Sequence, residues 1–506
     1  MEILKVHKIQ AWDKFTIENE PIQSIDLMER ASRVFTNWFT DHLYKGENKI
    51  LIIASKGNNG GDGLAVARML VENGYNVHLL ICHIQHSQSP DFEINFNRLK
   101  HKNIQIRELR SGDVMPSFKD YDAIIDAIFG SGLSRPIEGF WSDLIKAVNC
   151  SGNPIYSIDI PSGMFGDQVT PEGADVIYAD DCLSFERPKL SFFFPSNGKY
   201  LKNWTCRSIG LDNSFLNDLK STHFYFDYRS IGSFLKKRNK FDHKGKFGKA
   251  LIIGGQKGMI GASVLSLKSL LRTGTGLAFG LVPDIGYDIV QISVPEAMVL
   301  TGYGTDFLSK TPDLDRFDCL GIGPGLGTND LTIGFLENVL RNFTRPVVLD
   351  ADALNIIAKQ PELLKLIPKN SILTPHPGEF ERLFGKTEND LESLEVLSEN
   401  AQKSGLYIIL KGAHTAIGTP DGRILFNDTG NPGMATGGSG DVLTGIITGF
   451  LAQHYTPEEA ALLGVHLHGL AGDYAAQENG QESMLATDII NNIGKAFKKL
   501  KQYNSI

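Results

Sequence analysis

One pattern recurs along this chain: a short unbroken apolar run, a loop rich in glycine or acidic residues, then a segment with helical spacing. The first half carries Ile-Leu-Ile-Ile-Ala at 50–54, Val-His-Leu-Leu-Ile-Cys at 77–82, Ile-Gln-Ile at 104–106, Ala-Ile-Ile-Asp-Ala-Ile at 123–128 and Pro-Ile-Tyr-Ser-Ile-Asp-Ile at 154–160. The second half repeats it with Ala-Leu-Ile-Ile at 250–253, Cys-Leu-Gly-Ile at 319–322, Pro-Val-Val-Leu at 346–349, Ile-Leu at 372–373 and Tyr-Ile-Ile-Leu at 407–410. Runs without in–out alternation predict parallel strands covered by helices on both faces. The fold class expected is therefore α/β, with doubly wound sheets whose ligands gather at the carboxyl ends of the strands. A chain of 506 residues exceeds one ordinary core. The polar stretch Leu-Asp-Asn-Ser-Phe-Leu-Asn-Asp-Leu-Lys-Ser at 211–221 divides it, giving expected domains over residues 1–215 and 222–506 with no close repeat between them.

In the first half, a helix is expected around 24–38, where Leu27, Met28, Ala31, Val34, Phe35 and Trp38 share a face. The strand-end loops carry the chemistry. Gly57-Asn-Asn-Gly-Gly-Asp-Gly63 reads as a loop able to cradle phosphate, with two amide side chains beside it. Asp126 ends a strand before Phe129-Gly-Ser-Gly-Leu-Ser-Arg135, and Asp159 ends another before Pro161-Ser162-Gly163. Asn59, Asp126 and Ser162 together offer oxygen ligands from neighbouring strand ends, the donor set of a hard cation such as K⁺ or Mg²⁺. Lys189 follows the next apolar pair.

In the second half, Asn431-Pro-Gly-Met-Ala-Thr-Gly-Gly-Ser-Gly-Asp441 empties into a helix spaced by Val442, Leu443, Ile446, Ile447, Phe450 and Leu451. A glycine run entering a helix gathers free N–H groups and the positive dipole end around one point, which suits a phosphate. Asp441 stands where a carboxylate could take a proton from an attacking hydroxyl. The run Gly321-x-Gly323-x-Gly325-x-Gly327 has the wrong spacing for a dinucleotide fingerprint, and Pro324 removes an N–H from it, so it reads as a close-approach loop beside a ligand. His376 lies between Pro375 and Pro377, with Glu379 nearby, and is expected to contact ligand. Asp350 and Asp352 fit either a helix start or the positioning of a metal–phosphate complex.

The first-half motifs resemble the N-terminal domain of NAD(P)H-hydrate epimerases over about residues 1–215. They depart from it at Ser55, where that family's loop often opens with glycine. The resemblance implies that Asn59, Asp126 and Ser162 hold K⁺. It further implies that Asn58, Asn59, Gly60, Gly61 and Asp62, the loop Gly130, Ser131, Gly132, Leu133, Ser134, Arg135 and Pro136, and Asp159 contact the hydrated dinucleotide. Epimerisation at C6 needs a proton donor and acceptor; Asp159 is the first candidate and Lys189 the second. Over about 225–500 the motifs are His243-Lys-Gly, Gly254-Gly-x-x-Gly, Gly323-Pro-Gly-Leu-Gly327, Leu349-Asp-Ala-Asp-Ala-Leu-Asn355, Thr374-Pro-His-Pro-Gly-Glu379, Lys411-Gly-x-x-Thr415 and Gly437-Gly-Ser-Gly-Asp441. These resemble the ribokinase-like superfamily and, more specifically, the ADP- or ATP-dependent NAD(P)H-hydrate dehydratases. By that resemblance Ala262, Gly325, His376 and Asp441 contact the hydrated nicotinamide dinucleotide. Lys411, Gly412, Ala413, His414, Thr415 and Gly440 contact the adenine nucleotide, Mg²⁺ assists, and Asp441 is the base.

The expectation is thus a bifunctional repair enzyme for NADHX and NADPHX that uses ADP or ATP, the resemblance implying a homo-oligomer. A net charge of −8 argues against nucleic acid as partner. No apolar run approaches the ~18 residues of a membrane span, the amino terminus lacks a signal-peptide core, and five scattered cysteines without a C-x-x-C pair fit reduced thiols, so a cytoplasmic protein is expected. A ribokinase-like small-molecule kinase fused to a regulatory domain, and a nucleotide-sensing or RNA-associated module without turnover, are the alternatives at this stage.

Overall fold

The computed structural model describes residues 1–42, 49–84 and 87–503. The chain divides into two compact units, one spanning Glu2–Ser221 and the other Thr222–Ile506 together with Met1.

In the first unit, helices α1 (Val6–Asn19) and α2 (Ser24–His42) precede the sheet. There follow β1 (Lys49–Ala54), α3 (Asn58–Glu72), β2 (Asn76–Cys82), α4 (Pro90–Leu99), β3 (Gln105–Leu109), β4 (Ala123–Ala127), α5 (Phe140–Asn149), β5 (Ile155–Ile158), β6 (Ala179–Phe185) and β7 (Leu201–Arg207). The strands lie in the order β3-β2-β1-β4-β5-β6-β7, every pair parallel. Central strands β1 and β4 are buried along nearly their whole length, while edge strand β3 is largely exposed, as two-sided packing requires. Phe35 and Phe39 of α2 join Ile50, Ile52, Leu64, Val66 and Ile125 in the core, fixing the apolar stripe of that helix against the sheet. Strand order reverses between β1 and β4, the place where such sheets open a crevice for ligands.

Two local expectations change here. The segment 58–63 is not an open loop but the first turns of α3, which begins right after Gly57. A Cβ at Gly60 would stand 1.8 Å from the Ser55 carbonyl oxygen, and one at Gly63 2.5 Å from the Ala127 Cβ. These glycines let a helix start tight against the strand it has just left. The expected strand at 104–106 begins at Gln105 and runs to Leu109.

The second unit contains β8 (His223–Tyr225), α6 (Tyr228–Gly232), β9 (Lys249–Ile253), α7 (Ile260–Arg272), β10 (Leu277–Leu281), α8 (Tyr287–Ser293), β11 (Met298–Leu300), β12 (Cys319–Ile322), α9 (Asp330–Asn342), β13 (Val347–Leu349), α10 (Ala351–Lys359) and β14 (Ile372–Leu373). It continues with α11 (Pro377–Phe384), α12 (Asp390–Ser404), β15 (Tyr407–Leu410), β16 (Ala416–Gly418), β17 (Ile424–Phe426), α13 (Ser439–Ala452), α14 (Pro457–Asn479) and α15 (Ala486–Lys501). Its sheet has the order β11-β10-β9-β12-β13-β14-β15-β16-β17-β8. The pairs from β11 to β15 are parallel, β15-β16-β17 is an antiparallel meander, and β8 returns parallel to β17. Helices α7, α13, α14 and α15 bury one face of this sheet, with Ile446, Ile447, Leu463, Leu467 and Ile493 fully enclosed. The reversal of order falls between β9 and β12, so the glycine loops 254–261 and 323–327 flank the second crevice. Among the described residues no helix is long and apolar enough to cross a membrane. All five cysteines are free.

Candidate active sites

In the first unit, the strand ends on either side of the order reversal bring Asn59, Asp126 and Ser162 together. Asp126 is fully buried and accepts from Ser157 Oγ at 2.8 Å, Ser162 N at 2.8 Å, Ser162 Oγ at 2.5 Å and Ile128 N at 3.2 Å. Burial pushes its carboxyl up despite these bonds. Ser162 Oγ also meets the Phe129 N–H at 2.8 Å and the Phe129 carbonyl at 3.2 Å, tying the 129–135 loop to β4. Asn59 faces Gly130, and its buried amide Nδ2 has no hydrogen-bond partner among the described residues. An Asn amide can be turned so that its oxygen faces the carboxylate and carbonyl oxygens of its neighbours. With that turn the donor set is oxygen only and suits a weakly bound monovalent cation.

Asp159 follows β5 with φ of 67°, a backbone region that costs a non-glycine residue roughly 1–3 kcal/mol. Its Oδ1 accepts from Lys189 Nζ at 2.6 Å and from Phe185 N at 3.1 Å. Lys189 is only 1% exposed and donates further to Ser184 Oγ at 3.0 Å. The two catalytic candidates therefore form one ion pair, with Asp159 the member nearer solvent. Asp62 accepts from Ser32 Oγ at 3.2 Å, and burial pushes its carboxyl well up. Gly60 and Gly61 are buried against Ser55 and Met28, so packing explains them, while Asn58 is exposed. The loop from Gly130 through Ser131, Gly132, Leu133, Ser134 and Arg135 to Pro136 lies open at the mouth of the crevice. Sequence reasoning passed over Asp13 on α1, a half-buried carboxyl that burial and neighbouring Asp159 push up to about 7.

In the second unit, a cavity of about 780 Å³ opens at the start of α13 and is lined by Asp350, His376, Lys411, Thr415, Gly440 and Asp441 among others. Gly438 caps α13 with φ of 90°, and a Cβ there would stand 2.5 Å from Leu265 Cδ1. The turn thus needs glycine both for conformation and for space. First-turn N–H groups of a helix have no partners within it, and here those groups border the cavity. Asp441 sits in that first turn, its carbonyl accepting from Ser266 Oγ at 2.8 Å. Burial first, then Asp350 and Asp352, push its carboxyl up to about 7, with Lys411 opposing. Asp350, 1% exposed, accepts from Lys411 Nζ at 2.9 Å and Thr444 Oγ1 at 2.7 Å. Lys411 also approaches Glu379 Oε2 at 3.8 Å, so one ammonium stands between two buried carboxylates. Asp350 and Glu379 are the carboxylates that could meet a magnesium–phosphate complex, since both border the cavity. Asp350 occupies the N-cap position of α10 without capping it; Asp352 accepts instead from Gly327 N at 2.9 Å.

His376 caps α11: its Nδ1 accepts from Gly378 N at 3.1 Å and Glu379 N at 3.4 Å, while Glu379 Oε2 accepts from the His376 N–H at 2.9 Å. His376 Nε2 lies 3.5 Å from Glu379 Oε1, and the residue lines the cavity. His376 is therefore both a structural cap and part of the cavity lining. Gly412, Ala413 and Thr415 line the cavity, whereas His414 is outside the lining, with burial pushing its ring down to about 4. Ala262 and Gly325 are also outside it: Gly325, at φ of 60°, packs on Met259 and Ala262 across the β9–β12 crevice. Ser266, one helical turn beyond Ala262, still reaches the Asp441 backbone. Motif reading also passed over the anchoring of this loop by Asp473, which accepts from Gly430 N at 3.1 Å and Asn431 Nδ2 at 3.0 Å.

Residues 24–191 match the family described as YjeF-related protein N-terminus, and residues 250–495 match the NAD(P)H-hydrate dehydratase family. A bifunctional NAD(P)H-hydrate repair enzyme of Thermofilum pendens is 33% identical over 99% of this chain and 97% of its own. The bifunctional NAD(P)H-hydrate repair enzyme of Escherichia coli is 35% identical over 88% of this chain and 84% of its own. A solved ribokinase-like superfamily protein of Enterococcus faecalis aligns with a TM-score of 0.50 and 28% identity, covering 56% of this chain and 99% of that one. The chain accordingly belongs to the bifunctional NAD(P)H-hydrate repair enzymes.

Proposed function

We propose that the second unit dehydrates the S epimer of hydrated NADH and NADPH at the expense of ADP or ATP, and that the first unit interconverts the R and S epimers. The observation that carries the dehydratase reading is Asp441, a carboxyl pushed up to about 7 in the first turn of α13, beside the Lys411–Asp350 pair. A base poised near neutral pH suits removal of a proton from a hydroxyl. Asp441 takes the proton from the C6 hydroxyl as the hydroxyl oxygen attacks the terminal phosphoryl group, whose bond to the bridging oxygen breaks to release AMP from ADP or ADP from ATP. The free N–H groups of the α13 start, with the Lys411 ammonium, stabilise the charge on the transferred group. Phosphate is a far better leaving group than hydroxide. It departs from C6 as the N1 electron pair pushes in, the departing phosphate takes up the proton lost from C5, and the conjugated dihydropyridine is restored. Bound Mg²⁺ supplies neutralisation of the phosphate oxygens. Lys411, Gly412, Ala413, Thr415 and Gly440 are the adenine-nucleotide side of the cavity, with His376 also on its wall, and Ala262 and Gly325, in the neighbouring β9–β12 crevice, take the hydrated nicotinamide. His414 belongs to the same 411–415 turn but lies outside the cavity lining.

In the first unit, Asp159 handles the proton with Lys189 as its ion-pair partner, and the start of α3 at 58–62 and the loop at 130–136 hold the dinucleotide. Asn59, Asp126 and Ser162 would hold K⁺, whose charge would balance the oxygen atoms gathered at the ends of β1 and β4. The test incubates the full chain with mixed R and S hydrates and ADP or ATP, following NADH absorbance and released phosphate. Consumption of both epimers with phosphate matching NADH supports the reading. A stable phosphorylated product without NADH would point to a kinase and sink it.

A further inference from the structure

We propose that Asp13 of α1 is the proton donor of the epimerase site, working across the bound hydrate from Asp159; this rests on the epimerase reading above. Helix α1 is no leader to the domain but a wall of the site. The Val6 N–H donates to Asp167 Oδ2 at 2.7 Å, and a Cβ at Gly166 would stand 2.6 Å from Val6 Cγ2. Gln10 Nε2 lies 3.8 Å from the Cβ position of Gly132, inside the loop assigned to the dinucleotide. Val6, Gln10 and Asp13 are spaced i, i+4, i+7, so they share one helical face. The same helix is pinned from behind, with Trp12 Nε1 donating to the Asp212 carbonyl at 2.7 Å and Thr16 Oγ1 accepting from Asp212 N at 3.0 Å. Asp13 is thereby held facing the strand ends.

The charged groups facing Asp13 are Asp159, Lys189 and Glu186 from the loops after β5 and β6, and Asp62 from α3. Each of the others is committed. Lys189 binds Asp159 and Ser184. Glu186 accepts from Ser208 Oγ at 2.8 Å and Ile209 N at 2.8 Å, and pairs with Arg187 at 3.3 Å. Asp62 accepts from Ser32. Among the described residues no hydrogen bond or ion pair engages the Asp13 carboxyl. Its carboxyl, pushed up to about 7 by burial and by Asp159, holds its proton in about half of the molecules at neutral pH.

That complementarity is what the reaction requires. The C6–O bond breaks as the N1 electron pair forms an N1=C6 iminium, and the Asp13 proton passes to the departing oxygen to give water. Water then adds to the opposite face of C6, N1 regains its electron pair, and the proton released by that water goes to Asp159. The two carboxyls have exchanged protonation states, and solvent restores them. Reversing the direction exchanges their roles, so one pair serves both epimers.

The decisive experiment uses the full chain with Asp13→Asn and Asp13→Glu, a mixed-epimer substrate and excess nucleotide. NADH forms in a fast phase from the S hydrate and a slow phase limited by epimerisation of the R hydrate. In Asp13→Asn the slow phase should fall by roughly 100-fold or more, lose its decline as pH rises through about 7, and leave the fast phase unchanged. Asp13→Glu should recover part of the rate and the pH limb, which a purely structural role would not restore. An unchanged slow phase in Asp13→Asn, or a slower one that keeps the pH limb, overturns the assignment. A wild-type chain that completes the fast phase but never the slow one removes the epimerase reading itself and Asp13's role with it.

Discussion

Replacing Asp441 by Asn keeps the side chain's size and removes only its ability to take a proton. General-base catalysis is worth about 10²–10⁴ in rate, or about 3–5 kcal/mol of barrier, so kcat for dehydration of the S hydrate should fall by that factor. Binding of ADP or ATP should persist, because the α13 start, Lys411 and Gly412 are untouched. The wild-type rate should rise with pH through about 7 as the carboxyl ionises, and Asp441→Asn should lose that limb. Stability moves the other way. A carboxyl raised in the folded state from 3.8 to about 7 disfavours folding at every pH above the unfolded value, fully so above the folded one. The ceiling on that penalty is about 4 kcal/mol, and partial solvent access with Lys411 nearby reduces it to about 1–3 kcal/mol. Asp441→Asn should therefore stabilise the second unit at pH 8, and the gain should vanish below pH 4. Denaturant unfolding across that range, beside single-turnover NADH formation, tests both halves. A near-normal rate, or a stability difference independent of pH, would remove Asp441 as a desolvated base.

Lys411→Met leaves Asp350 buried with Thr444 alone, which should cost about 3–5 kcal/mol of stability and raise KM for ADP or ATP more than for the hydrate. Urea unfolding and nucleotide titration measure the two effects. Gly438→Ala forces φ of 90° on alanine and drives its Cβ to 2.5 Å from Leu265, so about 1–3 kcal/mol should be lost together with ordering of the anion-binding turn. Calorimetry reads the first and nucleotide affinity the second. Asn59→Ala, or exchange of K⁺ for a much larger cation, should slow consumption of the R hydrate while dehydration of the S hydrate continues; equal slowing of both would count against a cation at Asn59, Asp126 and Ser162.

Strand-end chemistry was legible because parallel sheets force function to one edge, and both sheets reverse their order at the loops where the motifs lie. The double wound α/β fold followed from the unbroken apolar runs alone. What sequence could not separate was a glycine needed for a ligand from a glycine needed for packing. Gly60 and Gly63 exclude side chains because Ser55 and Ala127 are already there, and Gly323 because the Asp350 carbonyl is 1.8 Å from its missing Cβ. The helical start at Asn58 was hidden for the same reason, since two adjacent glycines weaken helix propensity and only tertiary contact overrides it. Helix α1 left a faint signal, with Ile9, Trp12 and Thr16 spaced as one face, and Trp12 proves fully buried. No motif surrounds Asp13, so nothing in the sequence marked it.

The two units share a device that only three-dimensional placement could produce. In each, a carboxyl outside any salt bridge is pushed up to about 7, Asp13 in one and Asp441 in the other. In each, a Lys–Asp pair with one buried member stands close by, Lys189 with Asp159 and Lys411 with Asp350. The pair keeps one carboxylate neutralised by its ammonium, while its negative partner and the low local dielectric raise the second carboxyl toward neutral pH. Proton transfer at C6 in either reaction needs a group that can hold or release a proton at physiological pH, and an ordinary aspartate near 4 cannot do so. Desolvation supplies it from the commonest acidic side chain, at a cost in folding free energy that the surrounding helices offset. If that account is right, the Asp13→Asn and Asp441→Asn chains should each be more stable than wild type above pH 7, and their double variant should show nearly additive gains because the carboxyls belong to separate compact units. Loss of stability in either single variant would mean that its carboxylate is held by bonds rather than strained by burial, and the shared device would fail in that unit.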